Sequence, residues 1–155
     1  MPGTPFCQWR PRRYNGPMIT LAHIPVSTEA RDEIIDLTPE VQKIVSESGL
    51  RDGQALVFVP GSTGALSTLE HEPGLQQDLP QLLQKLIPAG RAYCHDRTWH
   101  DGNGHSHLRA TLVGPSLTVP FAAGRLLLGT WQQIVFLEFD NKPRQRRLIV
   151  QLQGE

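Results

Sequence analysis

The chain has 155 residues, a length that fits one domain with a core large enough to hold without disulfides. Fifteen basic against fifteen acidic residues exclude a global field for nucleic acid or an anionic membrane, so any anion site has to be local; the tight basic clusters are Arg10, Arg12, Arg13 and Arg144, Arg146, Arg147. Cys7 and Cys94 are too few for a disulfide framework, the apolar runs are too short to cross a bilayer, and the N-terminal arginines precede no signal-peptide core. A cytoplasmic protein with no nucleic-acid or membrane partner is expected.

Residues 1–16 carry prolines and glycines without periodicity and read as a loose lead segment, followed by one domain over 17–155. Partial alternation from Met18 to Pro25 predicts a strand, with His23 read as a structural residue. Glu33 to Leu37 is a second short strand. Thr38 as N-cap and Pro39 in the first turn predict a helix over Pro39 to Ser48 closed by Gly49, with Val41, Ile44 and Val45 on its apolar face. After the Asp52-Gly53 turn, the unbroken run Ala55 to Val59 predicts a central strand covered on both faces. It delivers Ser62, Thr63 and Gly64 to its end, where hydroxyls and backbone N–H groups can bind an anion; the same tract also reads as a plain turn.

Leu79, Leu82, Leu83 and Leu86 recur at helical spacing, with Asp78 as N-cap and Pro80 in the first turn. His107 to Val113 fits helix or strand, and helix is preferred; Gly114-Pro115 ends it. The remainder is β-rich: Ser116 to Phe121, Arg125 to Leu128, Gln132 to Asp140 and Arg147 to Gln153. Asp140-Asn141-Lys142-Pro143 reads as the turn of a hairpin joining the last two strands.

The chemistry concentrates in Tyr93 to Leu108, where His95, His100, His105 and His107 are interleaved with Asp96, Asp101 and Asn103 and broken by Gly102 and Gly104. Imidazole with carboxylate is a ligand set for zinc and similar ions, and a set of His95, His105 and His107 is feasible if the helix starts near Ser106 and leaves His105 in the loop. Clustered loop histidines are equally often structural or solvated. Asp96, Asp101 and Asn103 can orient the imidazoles or serve as turn residues. Cys94 beside His95 reads as a small buried residue rather than a nucleophile. Trp131, after Gly129, reads as core or subunit contact, and Arg144, Arg146 and Arg147 as a phosphate grip or a solvated hairpin end.

The order V-F-V-P-G-S-T-G-A-L, E-H-E-P-G-L, W-H-D-G-N-G-H-S-H-L, G-P-S-L-T-V-P-F, L-G-T-W-Q-Q-I and R-R-L-I-V-Q-L-Q-G-E resembles the YjbQ family over about Met18 to Glu155. The resemblance implies an α+β domain, with mixed or antiparallel sheets in a sandwich-like core and two to three helices, assembled as a homotrimer. It also implies a secondary thiamine-phosphate synthase activity that joins a pyrimidine diphosphate and a thiazole phosphate. The partner is then a small phosphorylated molecule. On that reading Glu70, Asp101 and His107 are catalytic; Ser62, Thr63, Gly64, Asn103 and Arg144 hold substrate or anion; and His95, His105 and His107 hold a divalent metal, zinc or magnesium. Many members place a histidine before their Thr-Thr or Thr-Ser pair, where this chain has Gly61. The alternatives are a trimeric metal- or anion-binding protein without turnover, and a metal-assisted hydrolase of a phosphorylated small molecule.

Overall fold

In the computed structural model, residues 18–29 and 32–155 are described; the expected lead segment over 1–16 lies outside them. Strands β1 (Met18–Thr28), β8 (Arg144–Gly154), β3 (Gly53–Phe58), β5 (Ser116–Ala122) and β6 (Arg125–Leu126) form a five-stranded antiparallel sheet in that order. A second antiparallel sheet has the order β2 (Glu33–Asp36), β7 (Gln133–Glu138), β4 (Gly64–Leu69). The domain is α+β, with four helices: α1 (Thr38–Glu47), α2 (Leu75–Leu86), α3 (Cys94–Trp99) and α4 (Gly104–Val113).

The alternation of β1 and β8 turns one side inward, and Ile24, Val26, Leu148, Val150 and Leu152 meet Ala55, Val57, Val119, Phe136 and Leu66 between the sheets. β7 is buried on both faces. Its Ile134 and Phe136 join that inter-sheet core, while Val135, Leu137 and, just past the strand's end, Phe139 join a second core with Leu83 of α2 and Ala110 of α4. The central strand β3 differs from its expectation: Ala55 and Val57 are buried but Leu56 and Phe58 are only half-buried, because no element described here covers the outer face of the larger sheet. His23 lies exposed on that outer face and packs in no core.

Three local expectations are corrected. Thr38 does not cap α1 but is its first residue: Asp36 Oδ1 accepts from the Thr38 N–H at 2.8 Å, and the Thr38 hydroxyl accepts from the Ile134 N–H at 2.9 Å. Helix α2 begins at Leu75, before Asp78, because the Glu72 carboxylate accepts from the N–H groups of Gly74 and Leu75; Pro80 therefore falls beyond the first turn. The Asp140 to Pro143 segment is not a hairpin turn. It carries the chain from the smaller sheet, where β7 ends, to the larger one, where β8 pairs with β1 and β3.

Candidate functional site

The His-rich segment folds as two helices rather than an open loop. Asp96 organises it: its Oδ2 accepts from the Tyr93 N–H at 3.3 Å and its Oδ1 from the Gly104 N–H at 2.9 Å, tying the start of α3 to the start of α4. A Cβ on Gly104 would stand 2.6 Å from Tyr93 Cβ, so the close approach of the two starts requires glycine. Between them the chain reverses through His100 and Gly102, both at positive φ.

Because α4 begins at Gly104, His105 is inside the helix, and the expectation that it would share a loop face with His107 is overturned. Two residues apart on a helix, they point about 200° apart. His105 is buried at 2 % exposure beside Ser106, whose hydroxyl donates to the Phe139 carbonyl. His107 instead faces His95, with ring centroids 4.3 Å apart. His95 Nε2 lies 3.6 Å from Asp101 Oδ1. The buried Asn103, with its amide nitrogen turned to the acceptors, stands 3.0 and 3.2 Å from the two Asp101 oxygens and 3.2 Å from His95 Nε2. The Asn141 side chain donates to the Asp101 carbonyl at 2.9 Å and brings the β7–β8 corner against this turn.

That corner holds a group missed in the sequence. Glu138 and Asp140 continue the inward face of β7 past Phe136, and Arg144 and Arg146 continue the inward face of β8 past Leu148, so the inter-sheet core ends in an ion quartet. Arg146 meets Glu138 through both Nε (2.7 Å) and Nη2 (2.6 Å), and Arg144 meets Asp140 Oδ2 through Nε (2.7 Å) and Nη2 (2.6 Å). The Thr63 hydroxyl donates to Asp140 Oδ2 at 3.1 Å and accepts from Arg146 Nη2 at 2.9 Å; Thr28 donates to Glu138. Two carboxylates two residues apart, followed by two arginines two residues apart, are the sequence signal for this group. The turn reading of Asp140 concealed it. Arg147, on the alternate face of β8, is exposed and outside the quartet.

Burial lowers the His107 pKa and the neighbouring His95 lowers it further, against the pull of Asp101, Asp140 and Asp96. Its imidazole is therefore neutral at neutral pH, with one donor and one acceptor nitrogen. Burial acts to raise the Asp140 carboxyl, but the hydrogen bond and charge of Arg144, the Thr63 hydroxyl and the Asn141 N–H outweigh it and hold the pKa below the usual carboxylate value. The guanidinium of Arg144 is fixed to Asp140 through Nε and Nη2 while the side chain stays 42 % exposed.

His95, Asp101, Asn103, His107, Thr63 and Arg144 are thus brought together, and the others are not. Ser62 is exposed on the loop before Thr63; Gly64 starts β4, where a Cβ would meet the Phe136 ring at 2.7 Å, so it serves packing. Glu70 follows the opposite end of β4, one six-residue strand or about 20 Å from Thr63. The Gly129 to Gln132 turn shares that far end, with Gln132 donating to Thr68. Trp131 is exposed and outside the core, and Cys94 is exposed where a buried residue was expected. Among the described residues no group of three or more His, Cys, Asp or Glu side chains is set to hold a metal ion, and the His95, His105, His107 set does not converge.

The family model described as UPF0047 protein YjbQ-like matches residues 22–155. A UPF0047 protein of Archaeoglobus fulgidus is 49% identical over 125 residues, covering 81% of this chain and 94% of that protein. The UPF0047 protein YugU of Bacillus subtilis is 35% identical over 136 residues, covering 86% and 99%. The crystal structure of a YbjQ-like protein of unknown function from Sulfolobus solfataricus superposes with a TM-score of 0.84 at 35% identity, covering 90% of this chain and 100% of that one. With the match extending from the middle of β1 through the His-bearing helices to the end of β8, the chain belongs to the YjbQ-like UPF0047 family.

Proposed function

We propose that the chain is a transferase acting on phosphorylated small molecules, of the secondary thiamine-phosphate synthase kind. The observation that carries this reading is the gathering of directed N–H donors on one half-open surface from separate parts of the chain: His95 and His107 from α3 and α4, and Arg144 from the start of β8. Joining a pyrimidine diphosphate to a thiazole phosphate forms one bond between the halves as the bond to the diphosphate breaks. The site's task is then to hold oxyanions and to stabilise charge on the leaving diphosphate. The half-exposed guanidinium of Arg144 and the ring N–H groups of His95 and His107 suit that task, and Asn103 and Asp101 fix the His95 ring. Glu70 has no part in it within one chain. A zinc or magnesium ion does not fit the three-histidine set, because His105 is buried away from the His95–His107 pair.

The test incubates the full chain with both precursors and measures thiamine phosphate and diphosphate together. Equimolar release of the two, falling at least about tenfold in His107→Ala, supports the reading. Diphosphate or phosphate released without joined product would replace it with a hydrolase, and no product of either kind would remove catalysis from the proposal.

A further inference from the structure

Arg146 is held with unusual completeness. Nε and one N–H of Nη2 go to Glu138, and the other N–H of Nη2 goes to Thr63, which accounts for three of its five donors. Both remaining donors are on Nη1, which makes no hydrogen bond among the described residues although the side chain is 11 % exposed. What stands over Nη1 is Gly61. A Cβ built on Gly61 would lie 3.2 Å from it, and no other heavy atom beyond the chain neighbours comes within 4 Å of that position. Gly61 is not at positive φ, so the backbone does not demand glycine there. The missing side chain leaves Nη1 open to solvent beside the exposed Ser62.

From this geometry we infer that Gly61 and Arg146 form a phosphate-binding niche, with Arg144 as its second wall. Arg144 and Arg146 both reach Asp140 Oδ2, at 2.6 and 3.9 Å through their Nη2 atoms, which sets the two guanidinium groups side by side. A tetrahedral oxyanion has enough oxygens to accept from both guanidinium groups at once. The quartet's charges cancel, and Glu138 and Asp140 oppose a further anion; binding therefore rests on directed donors already fixed in place, with no side chain left to order. The niche deepens the transferase reading by naming a phosphate grip, but it stands or falls on binding alone.

Inorganic phosphate titrated into the full chain, followed by calorimetry or phosphorus NMR, provides the test without either precursor. One saturable site per chain is expected. Gly61→Ala puts a methyl group against Nη1, which the Glu138 and Thr63 bonds keep from swinging away, and should weaken phosphate at least about tenfold with the melting temperature unchanged. Arg147→Ala, on the outer face of the same strand, should leave affinity as it was. Should Gly61→Ala melt early, Arg146→Lys keeps a cation beside Glu138 but removes Nη1, and should lose phosphate too. Absence of saturable binding, equal affinity in Gly61→Ala, or an equal loss in Arg147→Ala would overturn the niche. Loss of turnover with phosphate binding intact would instead count against the transferase reading only.

Discussion

Arg146 and Glu138 are a nearly buried ion pair, and what each contributes depends on the other remaining. Glu138 is fully buried, so Arg146→Met leaves a carboxylate without its partner, at a cost of about 3–5 kcal/mol. Adding Glu138→Leu should recover most of that, and chemical denaturation of the single and double variants reads the coupling directly. A double variant as unstable as the single one would mean that the pair is incidental to packing. His107 gives a separate signature. Its folded pKa lies below the ordinary 6.5, so as pH falls the unfolded chain takes up the proton first. Stability attributable to it is complete above about 6.5 and is lost as pH falls from there to the lowered value. Melting temperatures across that window should show a slope in the native chain that His107→Gln flattens. Asp140, whose pKa is also lowered, contributes stability present above its ordinary 3.8 and lost as pH falls through the lowered value.

Among the elements, legibility in the sequence followed the range of the interaction that decides each one. β1, β2, α1, β5 and the ends at Gly49 and Gly114 were readable because alternation, a first-turn proline and left-handed or terminal glycines act within a few residues. The His-rich segment was located but misread as a loop. What makes it α3 and the early start of α4 is Asp96 accepting from Tyr93 and from Gly104, eight residues on, and nothing in a linear pattern marks the second of those bonds. That one helix boundary parts the expected three-histidine set, since it sends His105 inward and leaves His107 with His95. The supposed hairpin failed for a similar reason. A turn signal specifies a reversal but not which sheet the next strand joins; here the buried carboxylates at the end of β7 find their arginines across the inter-sheet gap. The site was therefore legible as residue types near one another in sequence, while its floor, built from Thr63, Glu138, Asp140 and Arg146, depended on contacts between residues up to 83 positions apart.

At the scale of the whole molecule, the outer face of the five-stranded sheet is the feature one chain leaves unresolved. Strand register lines Leu21 up with Gln151 and Leu56, and His23 with Ile149 and Phe58. Ile19 and Leu21 are 64% and 58% exposed, where an antiparallel sheet facing water would carry polar residues. A second apolar patch, chemically different, lies at the β6–β7 connection, where Leu127 and Trp131 are 58% and 71% exposed. Two unlike patches on one chain suit a heterologous contact, which closes into a ring when its rotation divides the circle, whereas a two-fold dimer pairs one patch with itself. The homotrimer implied by the family resemblance is such a ring, and it is the assembly predicted here. Light scattering at micromolar concentration should give three times the chain mass. Leu21→Glu and Trp131→Ala should each yield a folded monomer, because a ring loses every contact when either side of the repeated interface fails. A native monomer would reject the trimer, and a trimer that survives both substitutions would place its interface elsewhere.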